Sequence, residues 1–186
     1  MIDDDLLIVT ERLDLHTVLP GEYLLLQHDR ADPRLWVDRG FANPLGHLVD
    51  DPGPLPFRIP KVAVDPGAAP YLLRLTVLRE KGIVIGSAGF HARPDDAGMI
   101  EIGLGIAPAE RGHGYAKETL RGMWAWVVAK PEVITLRYTV SPDNAASQAI
   151  IRTFGFEHRG QQLDEVDGPE DIYELSAQEY RRRFLA

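Results

Sequence analysis

Apolar and polar residues alternate from Thr10 to His16, with Leu13 and Leu15 on one side of the chain and Arg12, Asp14 and His16 on the other. That two-residue period marks a strand with one buried face. Pro20-Gly21 then opens a helical stretch through Tyr23, Leu24, Leu25 and Leu26, and Asp32-Pro33 starts a second predicted helix running to about Phe41. From Asn43 to Pro70 the periodicity dissolves. Pro44, Pro52, Pro54, Pro56, Pro60, Pro66 and Pro70 crowd this stretch, which predicts a proline-rich loop over 43–70 with no long helix and no central strand. A loop of that length is expected either to lid a site or to wrap the structure.

After Pro70 the texture changes. Tyr71–Arg79, Ile83–His91 and Met99–Ile106 read as strands separated by the turns Glu80-Lys81-Gly82 and Pro94-Asp95-Asp96-Ala97-Gly98, an antiparallel meander. Leu120, Met123, Trp124, Val127 and Val128 then recur at helical spacing until Pro131 ends the run, which places Trp124 in the core. Val133–Val140 is the next strand. Asn144–Phe154 is a helix with Gly155 as its left-handed terminator. Two short strands, about 156–161 and 171–175, and a terminal helical turn finish the chain. Antiparallel strands followed by strand–helix–strand–helix–strand predict an α/β (α+β) fold, with a mixed central sheet flanked by helices.

Composition narrows the classes. The 186 residues are expected to form one domain over 1–186. With no cysteine there can be no disulfide, Cys-ligated zinc, iron–sulfur cluster or thiolate nucleophile. No apolar run reaches the ~18–20 residues of a membrane span. Met1-Ile2-Asp3-Asp4-Asp5 carries acid where a secretory signal carries base, so a cytoplasmic protein is expected. The net charge is −8. Acids dominate both ends of the chain, and the one basic run, Arg181-Arg182-Arg183, reads as a solvated helix end. A nucleic-acid partner is not expected, nor a membrane one, while a cationic amine suits the acidic flanks.

The strongest local signal is Pro108-Ala109-Glu110-Arg111-Gly112-His113-Gly114-Tyr115-Ala116-Lys117-Glu118. Between a strand end and a helix start, small residues let an anion approach backbone amides at the positive end of the helix. A glycine-rich turn that merely caps the helix is the plainer reading of this stretch alone. A Walker A loop is excluded by the absence of Gly-Lys-Ser/Thr, and a dinucleotide fingerprint by the missing third glycine.

Arg111-x-x-Gly114-x-Ala116 resembles the acyl-CoA pyrophosphate signature Q/R-x-x-G-x-G/A of the GNAT superfamily of N-acetyltransferases. Thr10-Glu11-Arg12-Leu13-Asp14-Leu15 is similar to that family's opening strand. Ile85-Gly86-Ser87-Ala88-Gly89-Phe90 is similar to its third, and Glu101-Ile102-Gly103-Leu104-Gly105-Ile106 to its fourth. Pro142-Asp143-Asn144-x-x-Ser147 with Phe154-Gly155-Phe156 is similar to its second motif. The branch resembled is the RimJ/RimL-like one, over residues 10–16 and most of 71–175. The resemblance implies a GNAT fold with a mostly antiparallel sheet and acetyl-CoA as co-substrate. It also implies transfer of acetyl to a primary amine, with a protein or peptide N-terminus as the leading acceptor. A small cationic amine such as an aminoglycoside or polyamine is the first alternative, and a non-catalytic acyl-CoA-binding module the rival. Dimers are frequent in the branch, so a homodimer is among the expectations.

Carried over residue by residue, the resemblance implies that Leu104, Gly105 and Ile106 pair with the pantetheine arm. The amides of Arg111, Gly112, His113, Gly114, Tyr115 and Ala116, with Lys117 nearby, would cradle the pyrophosphate. Asn144 and Ser147 would reach the sulfur end of the coenzyme, although Asn144 also reads as a helix N-cap. Ile151 stands where many GNAT enzymes carry a tyrosine acid, and Thr139 where ribosomal alanine acetyltransferases carry a glutamate. The acid role therefore falls to Ser147 or water, and the base role to Glu101, with water or His91 as the alternative. Glu101 shares a strand face with Gly103 and Gly105, which leaves space beside its carboxylate. The acidic run Asp164-Glu165-x-Asp167-x-x-Glu170 could ligate a hard cation, but Gly168-Pro169 makes it a solvated turn, and no metal is expected.

Overall fold

A computed structural model describes residues 5–164 and 168–186. Among the described residues eight strands form a mixed, mostly antiparallel sheet flanked by helices. The chain forms two compact units, one containing the residues up to Arg93 with Leu104–Met123, the other Pro94–Gly103 with Trp124–Ala186.

In the first unit, β1 (Leu7–Val9) and β2 (Leu13–Thr17) form an antiparallel hairpin. Thr10, Glu11 and Arg12 make its turn, closed by the Thr10 amide donating to the Leu13 carbonyl at 2.9 Å. The strand expected from Thr10 therefore begins only at Leu13, with Leu13, Leu15 and Thr17 buried in alternation. β2 pairs with β3 (Arg74–Leu78), and β3 with β4 (Ile83–Phe90), both antiparallel. Every residue of β3 is buried, as befits a strand covered on both faces.

Three further expectations fail in this unit. The helix predicted from Asp32 to Phe41 is a series of turns, in which Trp36 takes a φ of 69° that no right-handed helix contains. Trp36 and Leu35 are nonetheless buried, so tertiary packing overrides the local pattern. Residues 43–70, expected to hold no long helix, contain the ten-residue α2 (Leu55–Val64) after α1 (Pro20–His28). Pro56 lies in the first turn, where no amide partner is needed. Pro60 removes one interior bond, which burial of Leu55, Arg58 and Val62 offsets. The strand predicted from Tyr71 starts at Arg74, because α3 (Ala69–Leu72) coils first and buries Tyr71 and Leu72. Leu75, Val77 and Val84 of the sheet share one core with Tyr23, Leu26, Leu55 and Val62, each large side chain contributing roughly 1.5–3 kcal/mol.

In the second unit, β5 (Met99–Ile106, its last three residues belonging to the first unit) pairs in parallel with β6 (Thr135–Val140) from Met99↔Thr135 to Glu101↔Arg137. β6 pairs antiparallel with β8 (Gly168–Ser176), and β8 with β7 (Glu157–Asp164). The two last strands are longer than the sequence pattern indicates, since cross-strand pairing carries polar residues that show no hydrophobic alternation. The helix α4 (Tyr115–Val128) delivers Trp124, whose ring meets Phe154 edge-on and Phe156 at a tilt, each at 4.7 Å. Gly155, at φ 75°, ends α5 (Ala145–Phe154) as expected. The terminal turn is a full helix, α6 (Ala177–Phe184). Its basic run is engaged rather than merely solvated: Arg181 donates to the Val128 carbonyl at 2.8 Å, and Arg182 and Arg183 pair with Glu179.

Candidate active site

The first unit holds the loop that follows β5. The Ala107 amide donates to the Ile85 carbonyl at 2.8 Å, so β5 ends against β4. Gly86 is required there, because a Cβ would stand 2.2 Å from the Gly105 carbonyl oxygen. On its own side Gly105 has nothing within 4 Å of where a Cβ would be. A short 3-10 turn, Pro108–Glu110, leads into the glycines. The Arg111 amide donates to the Pro108 carbonyl at 3.3 Å, and the Arg111 Nε to the Ile106 carbonyl at 2.9 Å. Arg111 therefore braces the loop with both groups, and its amide, expected in the cradle, is already engaged.

Gly112 and Gly114 both take φ 82°, a conformation that strains any residue with a Cβ. The amide of Glu118 makes a helical bond to the Gly114 carbonyl at 3.1 Å. The amides of Tyr115 and Ala116 precede it and have no intrahelical acceptor, as at the start of any helix. Lys117 stands in the same first turn. His113 and Tyr115 stack their rings at 5.6 Å.

Arg12, in the β1–β2 turn, reaches this loop. Its Nε donates to Glu118 Oε2 at 2.7 Å, its amide to Oε1 at 2.7 Å, and its Nη1 to the His113 carbonyl at 3.1 Å. Thr10 Oγ1 donates to Glu118 Oε1 at 2.6 Å. Burial works against the Glu118 charge, yet the bonds from Thr10 and Arg12 outweigh it and hold the carboxyl below its ordinary pKa. The sequence pattern treats Thr10-Glu11-Arg12 as strand and gives no sign of this pairing.

Elsewhere in the same unit, His47 Nε2 lies 2.9 Å from the hydroxyl of buried Ser87 on β4, and Asn43 bonds both the amide and the carbonyl of His47. The carbonyl of His91 accepts a bond from Lys61 at 2.7 Å.

The second unit holds the remaining candidates. Glu101 Oε1 accepts a 2.6 Å hydrogen bond from Thr139. Its register neighbour Arg137 forks onto Glu174 at 2.6–2.9 Å. Asn144 is the N-cap of α5, its Oδ1 accepting from the Ser147 amide at 3.0 Å. Burial pushes up the pKa of the Tyr138 phenol, and the neighbouring Ser147 hydroxyl works the other way. Ile151 is fully buried, so the position of the missing tyrosine is core. Among the described residues no group of three or more acidic or histidine side chains is arranged to hold a metal. Glu165 and Asp167 of the acidic run lie outside the described residues. No helix among the described residues is long and apolar enough to cross a membrane.

Residues 61–157, just over half of the chain, match the acetyltransferase (GNAT) domain family. An uncharacterized N-acetyltransferase of Bacillus subtilis, YjdG, is 29% identical over 82 residues, 44% of this chain. The match spans about half of that relative's length, 49%. Among solved structures, the RimL ribosomal L7/L12 α-N-protein acetyltransferase in complex with coenzyme A superposes with a TM-score of 0.61 at 14% identity, covering 91% of this chain and 97% of that one. A spermidine N-acetyltransferase SpeG chimera, from Vibrio cholerae and hSSAT, gives 0.64 at 14% identity, covering 93% and 100%. At these identities the structural likeness speaks for the fold alone.

Proposed function

This chain belongs to the GNAT family of acetyltransferases, and from that premise we propose that it moves acetyl from acetyl-CoA to a primary amine, with a peptide α-amine as the leading acceptor. The observation that carries the donor half is the loop after β5. Two glycines at φ 82° precede a helix whose first amides lack intrahelical partners, which suits a pyrophosphate. Gly112 through Ala116 serve as the cradle, Lys117 adds charge, and Arg111 braces it from below. The backbone of Leu104, Gly105 and Ile106, at the end of β5, is the segment that would pair with the pantetheine arm as an added strand does, and Gly105 leaves one face of the sheet open beside it.

The acceptor arrives as an ammonium and must lose a proton before its nitrogen can attack the thioester carbon. Glu101 takes that proton, directly or through water, while Thr139 fixes the carboxylate rotamer. As the nitrogen–carbon bond forms, the carbon–sulfur bond breaks and the departing sulfur needs a proton. Ser147 or a water supplies it, the serine oxygen taking a proton back from water or from the protonated base, and Asn144 holds the start of α5 in place.

A polyamine is the second reading, which suits the chain's net charge of −8. Thiol release from acetyl-CoA over a panel of α-amine peptides, spermidine and aminoglycosides tests both. Turnover with peptides alone supports the leading acceptor, and turnover with spermidine alone replaces it. Tight CoA binding with no turnover on any amine makes the chain a binding module instead.

A further inference from the structure

Glu118 poses an electrostatic problem for the proposed coenzyme loop. It sits in the first turn of α4, beside amides that are to receive an anion, and a bare carboxylate there would repel phosphate. The structure answers with Arg12. Its backbone amide and Nε take both carboxylate oxygens at 2.7 Å, and Thr10 adds a third bond. The same guanidinium holds the His113 carbonyl at 3.1 Å and lies 4.6 Å from the centroid of the Tyr115 ring, which stacks with His113. It also lies 3.6 Å from where a Cβ of Gly114 would stand.

One side chain thus touches His113, Tyr115 and Glu118, and it flanks the glycine between them. Gly112 and Gly114 make the loop adaptable, and a loop with two such residues loses much conformational freedom when it closes on a ligand. Interactions that already fix it in the free protein lower that cost. We infer that Arg12 is a positioning residue for the coenzyme: it neutralises Glu118 and fixes the His113–Tyr115 segment, so that the loop amides are set for the pyrophosphate before it arrives. This rests on the reading that the loop binds the coenzyme's pyrophosphate.

Calorimetric titration with CoA and steady-state kinetics on folded Arg12→Ala, Arg12→Lys and Arg12→Ala/Glu118→Gln variants test it, with Gly114→Asp as the reference for a blocked loop. Arg12→Ala is expected to weaken CoA and raise KM for acetyl-CoA roughly tenfold or more, with kcat within about threefold. Arg12→Lys, which keeps the charge but not the fork, should recover part of the loss. Glu118→Gln in the Arg12→Ala background should also recover part, because the repelling charge is gone. A purely structural role would instead lower kcat and depress turnover of S-acetylpantetheine as well. With S-acetylpantetheine, which has no pyrophosphate, kcat/KM should be unchanged. If Arg12→Ala does not fold, Arg12→Lys and Thr10→Val carry the same comparison with smaller expected losses. CoA affinity within twofold of wild type in the Arg12 variants, with affinity lost in Gly114→Asp, overturns the inference and leaves the loop as the coenzyme site. Unchanged affinity in Gly114→Asp as well removes the loop reading itself, and the inference with it.

Discussion

Thr139, on β6, donates a 2.6 Å hydrogen bond to Oε1 of Glu101, on β5, from two residues past the last pair of their parallel ladder. Residues two apart on a strand share a face, so Thr139 reaches the carboxylate while Arg137, the direct register partner, turns to Glu174. The threonine thus supplies the Glu101 carboxylate with a donor from the neighbouring strand.

Glu101→Gln keeps the shape of the side chain but removes the proposed base. Turnover should fall roughly 10²-fold near neutral pH, and less at high pH where free amine is plentiful. CoA affinity should stay level. Thr139→Val should cost about tenfold in turnover, the order of one hydrogen bond to a charged group. Near-wild-type turnover in Glu101→Gln would assign the proton to water or His91.

Gly86→Ala places a Cβ 2.2 Å from the Gly105 carbonyl oxygen and 3.1 Å from the Ile106 Cα. Backbone cannot yield as a side chain does, so β4 and β5 must shift at the segment proposed to pair with pantetheine. The variant should lose about 1–3 kcal/mol of stability, and KM should rise more for acetyl-CoA than for the amine. Denaturant unfolding together with two-substrate kinetics reads both effects.

Asn144→Ala removes the acceptor of the Ser147 amide at the start of α5 and should cost about 1 kcal/mol of stability. Asn144→Asp keeps the cap. If Asn144→Asp recovers stability but not CoA affinity, the amide side chain serves the coenzyme as well as the helix. Recovery of both would leave Asn144 as a cap alone.

Arg74 is fully buried on β3, and its guanidinium donates to the carbonyls of Pro70, Leu15 and Asp5 at 3.1–3.5 Å. Arg74→Ala strands those acceptors and opens a cavity, so a loss of about 3–5 kcal/mol is expected in thermal or urea unfolding. A loss below about 1 kcal/mol would mean that water replaces the guanidinium.

Burial holds the His47 imidazole below its ordinary pKa of 6.5, with Asp51 pulling the other way, and burial also lowers His16. The unfolded chain therefore binds these protons first as pH falls. Stability should be full above the unfolded value and decline as pH drops below about 6.5, until the folded pKa is passed. Urea midpoints should be lower at about pH 5.5 than at about pH 7.5, and His47→Gln should narrow the gap. An unchanged gap in that variant would place the titration at other groups.

Elements whose signals are local can be read straight from the order of residues. β5 keeps its predicted bounds, and α5 runs from the Asn144 cap to Gly155, because a cap, an apolar period and a left-handed glycine all act within a few residues. The glycine loop was legible for the same reason, since its backbone angles belong to the glycines themselves. The other features depend on contacts between segments far apart in the chain. The prolines of 55–64 were compatible with a helix once its apolar face found a core, and Trp36 left the helical region because its burial outweighed local propensity. Glu101 met Thr139 across 38 residues of chain, and Arg12 met Glu118 across 106. A hydrogen bond between side chains that far apart leaves no mark on the residues flanking either one. It exists only because strand pairing and helix packing bring the two ends to within 3 Å of each other.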